Sequence, residues 1–468
     1  MSKITICGGS ITNTSTGKTT FEVTNGDFDS YAARYTLLEG EENINYHDYE
    51  PSEAEKDDIE DFKTGVKIIA SIFFDGTNNN RNNTEQRLGN TDIYKKMWEK
   101  DGSYDNYYSN IAIMEKMKIN DPKSRIVSKY IEGEGTEDNQ KGDIQGAGFG
   151  SGKTGIPVKV EKGTTEIIAE INKAFRNDEE FVKELIIDVF GFSRGAAAAR
   201  SFINTQKASL QKKYLEAEIK YRFVGLFDTV SSYEAEGNFG AFGSAMSHNF
   251  DNDVEELQLE LGGIAQKIVH LTAADEYREN FALTNIDSSI LAGIGYELEL
   301  PGAHSDIGGG YDETEHIEKR YINRDGSPTK KQWIEQGWYT EEQVIGQSGK
   351  NDPINFNGIR KLKNSYQFIP LSIMMELAKK NGVTFKTFDS KIGFEKFKVI
   401  PELENIKDAL QKYALANDGA VKKTVRLQPF NQLKFLRNKY LHVSANKSAV
   451  GMGARFEKLK LKRLIHPA

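Results

Sequence analysis

The sequence predicts an α/β protein: an α/β-hydrolase-like, mostly parallel sheet with helices on both faces, an N-terminal arm and C-terminal additions. Three observations lead there. Val66–Phe74 (VKIIASIFF), Glu184–Phe190 (ELIIDVF) and Tyr221–Phe227 (YRFVGLF) are nearly continuous apolar runs, which read as strands buried on both faces. Segments with helical spacing separate them, and strands alternating with helices build a parallel sheet. The 468 residues, 38% of them hydrophobic, supply a substantial core. They exceed the roughly 250–300 residues at which single cores usually split, so one large decorated domain or two are expected.

Residues 1–62 read as an arm and acidic linker, with eleven carboxylates and one lysine between Glu39 and Asp61, a solvated composition. The α/β domain is expected over 63–320. It begins with strand Val66–Phe74, which stops at Asp75-Gly76-Thr77-Asn78-Asn79-Asn80. A helix over Tyr107–Met117, a strand over Arg125–Ile131, a glycine-rich loop over 133–155 and a helix over Thr164–Phe175 follow. Strand Glu184–Phe190 leads into helix Ala196–Leu215, then come strands Tyr221–Phe227 and Lys267–Thr272, a helix near Asp275–Phe281 and strand Tyr296–Leu300. Residues 321–468 are expected to pack on or cover this domain, with helices at Leu371–Asn381 and Glu402–Leu415. In the tail FEKLKLKRL (456–464), Lys458, Lys460 and Lys462 alternate with leucines, as in an edge strand with a charged solvent face; an anionic-lipid contact is the sharper reading.

A net charge of −8 provides no global field for nucleic acid or anionic lipid. The single cysteine, Cys7, excludes an internal disulfide framework and cysteine-built metal sites. No run of about 20 apolar residues occurs, and the N-terminus lacks the apolar segment of a secretory signal. Synthesis in the cytoplasm is expected, with export requiring a machine that reads no signal peptide.

Gly191-Phe192-Ser193-Arg194-Gly195 carries the chemistry. A G-x-S-x-G between a buried strand and a helix lifts the serine hydroxyl above the sheet edge, and the next N–H points at a developing oxyanion. The alternative is a mere tight turn. A serine nucleophile needs a base further along the chain, and His304 in PGAHSDIGGGY, just after a strand, is placed to supply it; a structural turn histidine is the alternative. His270 lies inside an apolar strand, where a satisfied core histidine is expected, and His442 follows a plausible strand in KYLHVS. Two carboxylates, Asp228 and Asp275, end strands between Ser193 and His304, and the residues alone leave both open as the acid. The loop after the first strand offers Gly76 as a second oxyanion donor, or is an ordinary polar turn. Ala147–Thr154 nearly fits a phosphate-binding loop with Lys153 and Thr154, but no buried strand precedes it and Pro157 follows.

Four blocks, FDGTNNN at 74–80, YIEGEGT at 130–136, GFSRGAAAAR at 191–200, and LFDTV at 226–230 with PGAHSDIGGGY at 301–311, resemble in their order the α/β-hydrolase domain of the type VI secretion phospholipase effectors of the first lipase-effector family. The resemblance covers roughly residues 65–312. It implies Ser193 as nucleophile, His304 as base and the FDTV aspartate, Asp228, as acid, with the Arg194 N–H in the oxyanion hole. It implies a serine phospholipase of the A type acting on membrane phospholipids without metal or organic cofactor. It further implies delivery into rival cells by a type VI apparatus, a secretion spike or tube protein as partner, an immunity protein, and no nucleic acid. The other readings are a cytoplasmic esterase of the same fold, a catalytically idle docking or delivery module, and a nucleotide-binding protein using Lys153 and Thr154.

Overall fold

The apolar runs become the interior of one twisted sheet. The computed structural model describes residues 63–99, 102–234, 252–322, 329–347, 356–388, 393–425, 427, 430–445, 452–457 and 460–468. Its main strands are β1 (Thr64–Phe74), β2 (Ile126–Ile131), β3 (Glu180–Phe192), β4 (Glu218–Phe227), β5 (Ala265–Ala273), β6 (Gly295–Leu300) and β7 (Val421–Thr424). They lie in the order β7-β6-β5-β4-β3-β1-β2, every neighbouring pair parallel. The order reverses between β1 and β3, and the carboxyl ends of strands at such a switch point form a crevice for ligands.

Successive side chains of a strand face opposite sides, so β1 feeds two cores at once. Phe73 packs on one side, stacked on Phe190 at 4.8 Å, and Phe74 on the other beside Phe202. The first core is closed by helices α1 (Asn110–Met117), α5 (Phe368–Lys380) and α6 (Glu404–Ala416), the second by α2 (Ile156–Asn172) and α3 (Arg194–Lys213). Ala196–Ala199 of α3 are fully buried. Four consecutive methyl-sized side chains let the helix axis approach the sheet closely, while Phe202 and Ile203 fill the remaining depth.

The C-terminal third is part of the same compact unit, Phe62–Ala468. It adds β7 to the main sheet, a small antiparallel sheet (316–322, 356–362, 344–347), helix α7 (Phe430–Lys439) and a last pairing of Ile465–His466 beside Leu283–Thr284. Among the described residues no helix is long and apolar enough to cross a membrane.

Several local expectations change. Helix α2 starts at Ile156 rather than Thr164, because Pro157 sits in its first turn, where the missing N–H costs nothing. The phosphate-loop look-alike is not preceded by a strand: Ile144–Phe149 is a short helix, Lys153 is exposed, and Thr154 Oγ1 donates to Asp143 Oδ2 at 2.6 Å. No helix forms over 275–281. The Glu276 carboxylate accepts the N–H groups of Tyr277 and Arg278 at 3.0 and 2.8 Å, local bonds that compete with a helical turn. Around His442 there is no strand, because the chain leaves α7 through Tyr440 and Leu441, whose N–H groups both return to Leu436 O. The lysine-rich tail does not run as one strand: Phe456–Glu457 pairs antiparallel with Lys460–Leu461, and Lys458 and Leu459 lie outside the described residues, as do residues 1–62.

Candidate active site

Ser193 occupies the turn between β3 and α3 with φ 57° and ψ −129°, a left-handed conformation that a serine adopts only under constraint. The constraint is visible in the backbone. Ser193 N–H donates to Phe227 O at 3.0 Å, and its carbonyl accepts from Ala196 N at 3.0 Å and Val230 N at 3.3 Å. The flanking glycines are required by close approach: a Cβ on Gly191 would lie 2.5 Å from Ala196 Cα, and one on Gly195 2.1 Å from Asp75 O. Gly195→Ala should therefore cost about 1–3 kcal/mol or more of folding stability, read by urea denaturation; a wild-type midpoint would show that the elbow relaxes freely.

His304 opens the short helix α4 (His304–Gly308), four residues beyond the end of β6. Its Nδ1 lies 2.6 Å from Asp228 Oδ2, and its backbone N–H donates to Glu276 Oε2 at 3.2 Å. Phe192 and Phe281 flank the imidazole at ring separations of 4.7 and 5.1 Å. Burial pushes the imidazole pKa down and the Asp228 carboxylate pushes it back up; burial wins, so the ring sits below the usual histidine range. With an ionised carboxylate at Nδ1, the proton resides there and Nε2 carries the lone pair. Ser193 and His304 line one cavity of about 490 Å³.

Asp228 directly follows β4, fully buried, with φ 43°. Burial raises a carboxyl pKa, but the Arg463 charge and the bond from His304 outweigh it and hold this one far below its ordinary value. Oδ1 accepts from Ala273 N at 2.9 Å and Arg463 Nη1 at 2.6 Å, and Oδ2 accepts from Arg463 Nη2 at 2.9 Å. Asp275 makes no hydrogen bond to His304. It accepts from Gly302 N at 2.9 Å, Tyr277 OH at 3.0 Å and Arg437 Nη2 at 2.9 Å, tying down the turn that precedes His304. No helix follows it.

Gly76 does not present a free N–H. That amide donates to the carboxylate of its own neighbour, Asp75 Oδ1, at 2.8 Å. Asn78 N–H goes to Glu134 O and Asn79 N–H to Gly76 O, which among the described residues leaves the Thr77 and Asn80 N–H groups without a protein acceptor, and of these two residues Thr77 lines the cavity. Gly76 serves by closeness instead: a Cβ there would sit 3.1 Å from Ser193 Cβ. The Arg194 side chain fixes the loop, donating Nε–H to Thr77 Oγ1 at 2.8 Å and Nη2–H to Ala147 O, so the glycine-rich stretch becomes a wall of the cavity. Beneath it two buried carboxyls are raised by desolvation, Asp75 to about 6 and Glu134 to about 7.

Two further histidines are held away from the serine. His270 is a core histidine, its Nδ1 3.0 Å from Glu297 Oε2 and its Nε2 accepting from Thr229 N at 3.0 Å. His442 Nδ1 lies 2.7 Å from Asp306 Oδ1, and the ring stacks on Tyr311. Sequence reasoning missed Arg463 and Glu276. Arg463 had no local signal, lying in a basic tail 235 residues from its partner.

Residues 203–334 match the family model described as the catalytic domain of the Tle1-like phospholipase effectors of the type VI secretion system. The matched span starts within α3, after Ser193, and contains Asp228, Asp275 and His304. Among solved structures, the Tle1 effector bound to the VgrG spike of the type 6 secretion system is similar, with 24% identity and TM-score 0.54, over 87% of this chain and 94% of that one. An uncharacterized protein from Pseudomonas aeruginosa aligns more weakly, with 18% identity and TM-score 0.40, over 80% of this chain and 53% of that one. No curated protein sequence matches.

Proposed function

We propose that this chain, whose residues 203–334 match the Tle1-like catalytic-domain model of the type VI secretion phospholipase effectors, hydrolyses phospholipid acyl esters as a serine enzyme of the phospholipase A type. The observation that carries the reading is the 2.6 Å pairing of His304 Nδ1 with Asp228 at a cavity shared with the strained Ser193. His304 Nε2 takes the Ser193 hydroxyl proton as Oγ attacks the acyl carbonyl, and Asp228 stabilises the imidazolium. The N–H groups of Arg194 and Thr77 receive the oxyanion, Thr77 replacing Gly76 in that role. Collapse of the intermediate breaks the ester bond, and the departing lysophospholipid oxygen takes the proton from His304. Water, deprotonated by the same nitrogen, then attacks the acyl-enzyme and releases the fatty acid and Ser193. Phe192 and Phe281 offer the apolar wall that an acyl chain needs.

A lipid-like phosphonate tests this directly. It should label the wild type on Ser193 and leave Ser193→Ala untouched; labelling elsewhere, or none, would remove the reading. The structural relative in complex with a spike leads us to propose a spike protein as delivery partner for this chain, and release into a target cell guarded against by an immunity protein in the producer. Co-purification with the spike protein checks the first of these.

The electrostatics of His304 set a pH dependence. Its proton affinity lies below that of an ordinary imidazole, so the free base persists to lower pH and is lost as pH falls through the folded-state value. The acid limb of kcat/KM should have its midpoint below about 6.5 and fall about tenfold per unit beneath it. A midpoint above neutrality in folded protein would point to another base.

A further inference from the structure

Each oxygen of Asp228 has two donors, and one of each pair comes from Arg463. The guanidinium is buried and forks across the carboxylate, with Nη1 on Oδ1 and Nη2 on Oδ2. Its third edge donates Nε–H to Phe281 O at 2.8 Å, and the Phe281 ring lies edge-on against the His304 imidazole. One side chain therefore positions both the acid and a wall of the base. A fork of this kind fixes the plane of a carboxylate in a way that a point charge does not.

Arg463 belongs to a segment that docks by backbone bonds. Leu283 N–H donates to Leu464 O, Asn285 N–H to His466 O and Ser288 N–H to Ala468 O, at 2.9, 3.0 and 3.0 Å. Thr284 N–H donates in turn to Thr229 O, the residue after Asp228. The carboxylate so held already shares its charge with a guanidinium, which weakens its pull on a proton at His304. The other charged groups facing the imidazole largely cancel, because Glu276, which accepts the His304 N–H, is paired with Arg278.

We propose that Arg463 is a positioning residue for the hydrolysis: it aligns the Asp228 carboxylate on His304 Nδ1 and tempers its charge, so the base is competent only while residues 463–468 are docked along 283–288. This rests on the Ser193–His304–Asp228 reading above. Without the guanidinium, Asp228 tilts and faces His304 with its full charge, and the imidazole holds its proton more tightly.

The test compares full-length wild type, Arg463→Met, Arg463→Lys and Ser193→Ala, following phosphonate labelling of Ser193 and kcat/KM on phospholipid vesicles across pH. Arg463→Met, folded by circular dichroism, should be about tenfold to a hundredfold slower, with its acid limb moved up by about one pH unit. Arg463→Lys retains the charge without the fork and should keep the wild-type acid limb at about a tenth of the rate. A rate and profile within twofold of wild type in folded Arg463→Met overturns the proposal, and should that variant not fold, the same result in Arg463→Lys does so. If Ser193→Ala hydrolyses as fast as wild type, the triad reading itself has failed and this inference with it. If Ser193 labels normally but is indifferent to Arg463, only the inference fails.

Discussion

Ser193→Ala is expected to lower phospholipid hydrolysis by about five to six orders of magnitude while leaving the fold and its thermal midpoint nearly unchanged. The two halves of that expectation have separate origins. The elbow is held by the serine's backbone, through Phe227 O on one side and the N–H groups of Ala196 and Val230 on the other. None of these bonds involves Oγ, and alanine tolerates the positive φ no better and no worse than serine. The rate is lost entirely at the chemical step, because His304 then has no hydroxyl to deprotonate and Asp228 no imidazolium to stabilise. The residual activity that remains comes from substrate binding and the oxyanion donors alone. Release of fatty acid from phospholipid vesicles, measured beside far-UV circular dichroism, decides it. Residual activity above about a tenth of wild type in folded Ser193→Ala would place the nucleophile elsewhere.

What could be read from the residues was whatever short-range physics dictates. Central strands of a parallel sheet are buried on both faces, so β1, β3, β4 and β5 declare themselves as apolar runs, within a few residues at each end. The elbow declares itself through its glycines, because a sharp turn that packs a helix against a strand end has no room for Cβ at 191 or 195. Strand β7 did not declare itself: VKKT is short, half exposed and polar, and becomes a strand only because the edge of β6 is there to pair with it. The segment after Asp275 reads as a helix by composition, and only the side-chain bonds of Glu276 reveal why it is not one. The Gly76 amide was a sound expectation for a loop at a strand end, yet the neighbouring Asp75 carboxylate captures it. Arg463 illustrates the general limit, since its importance depends on a backbone pairing made near the far end of the chain.

The largest effect after that of the nucleophile is expected at Asp228, and its contrast with Asp275 is the sharper experiment because the two residues look alike in the sequence. Counting strands favours Asp275, which follows β5, the strand next to the one that carries the histidine. The geometry separates them. Asp228 accepts from His304 Nδ1 at 2.6 Å, whereas the oxygens of Asp275 are taken by Gly302 N, Tyr277 OH and Arg437. Asp228→Asn replaces a charged acceptor by an amide whose NH2 group can face Nδ1, which favours the tautomer with the proton on Nε2 and leaves nothing to accept the serine proton. A loss of about 10⁴ in kcat is expected from that tautomer change, together with about 3–5 kcal/mol of stability, because the buried Arg463 is left beside a neutral partner. Asp275→Asn leaves the imidazole and its tautomer untouched but strands Arg437 beside a neutral partner, half inside the protein. It should cost about 3 kcal/mol of stability and less than about a tenfold loss in rate through loosening of the turn at Gly302. Both variants are therefore measured twice, by chemical denaturation and by single-turnover hydrolysis at a temperature where each is folded. If Asp275→Asn shows the greater kinetic loss in folded protein, the acid belongs at the end of β5 and the Asp228–Arg463 pair is structural.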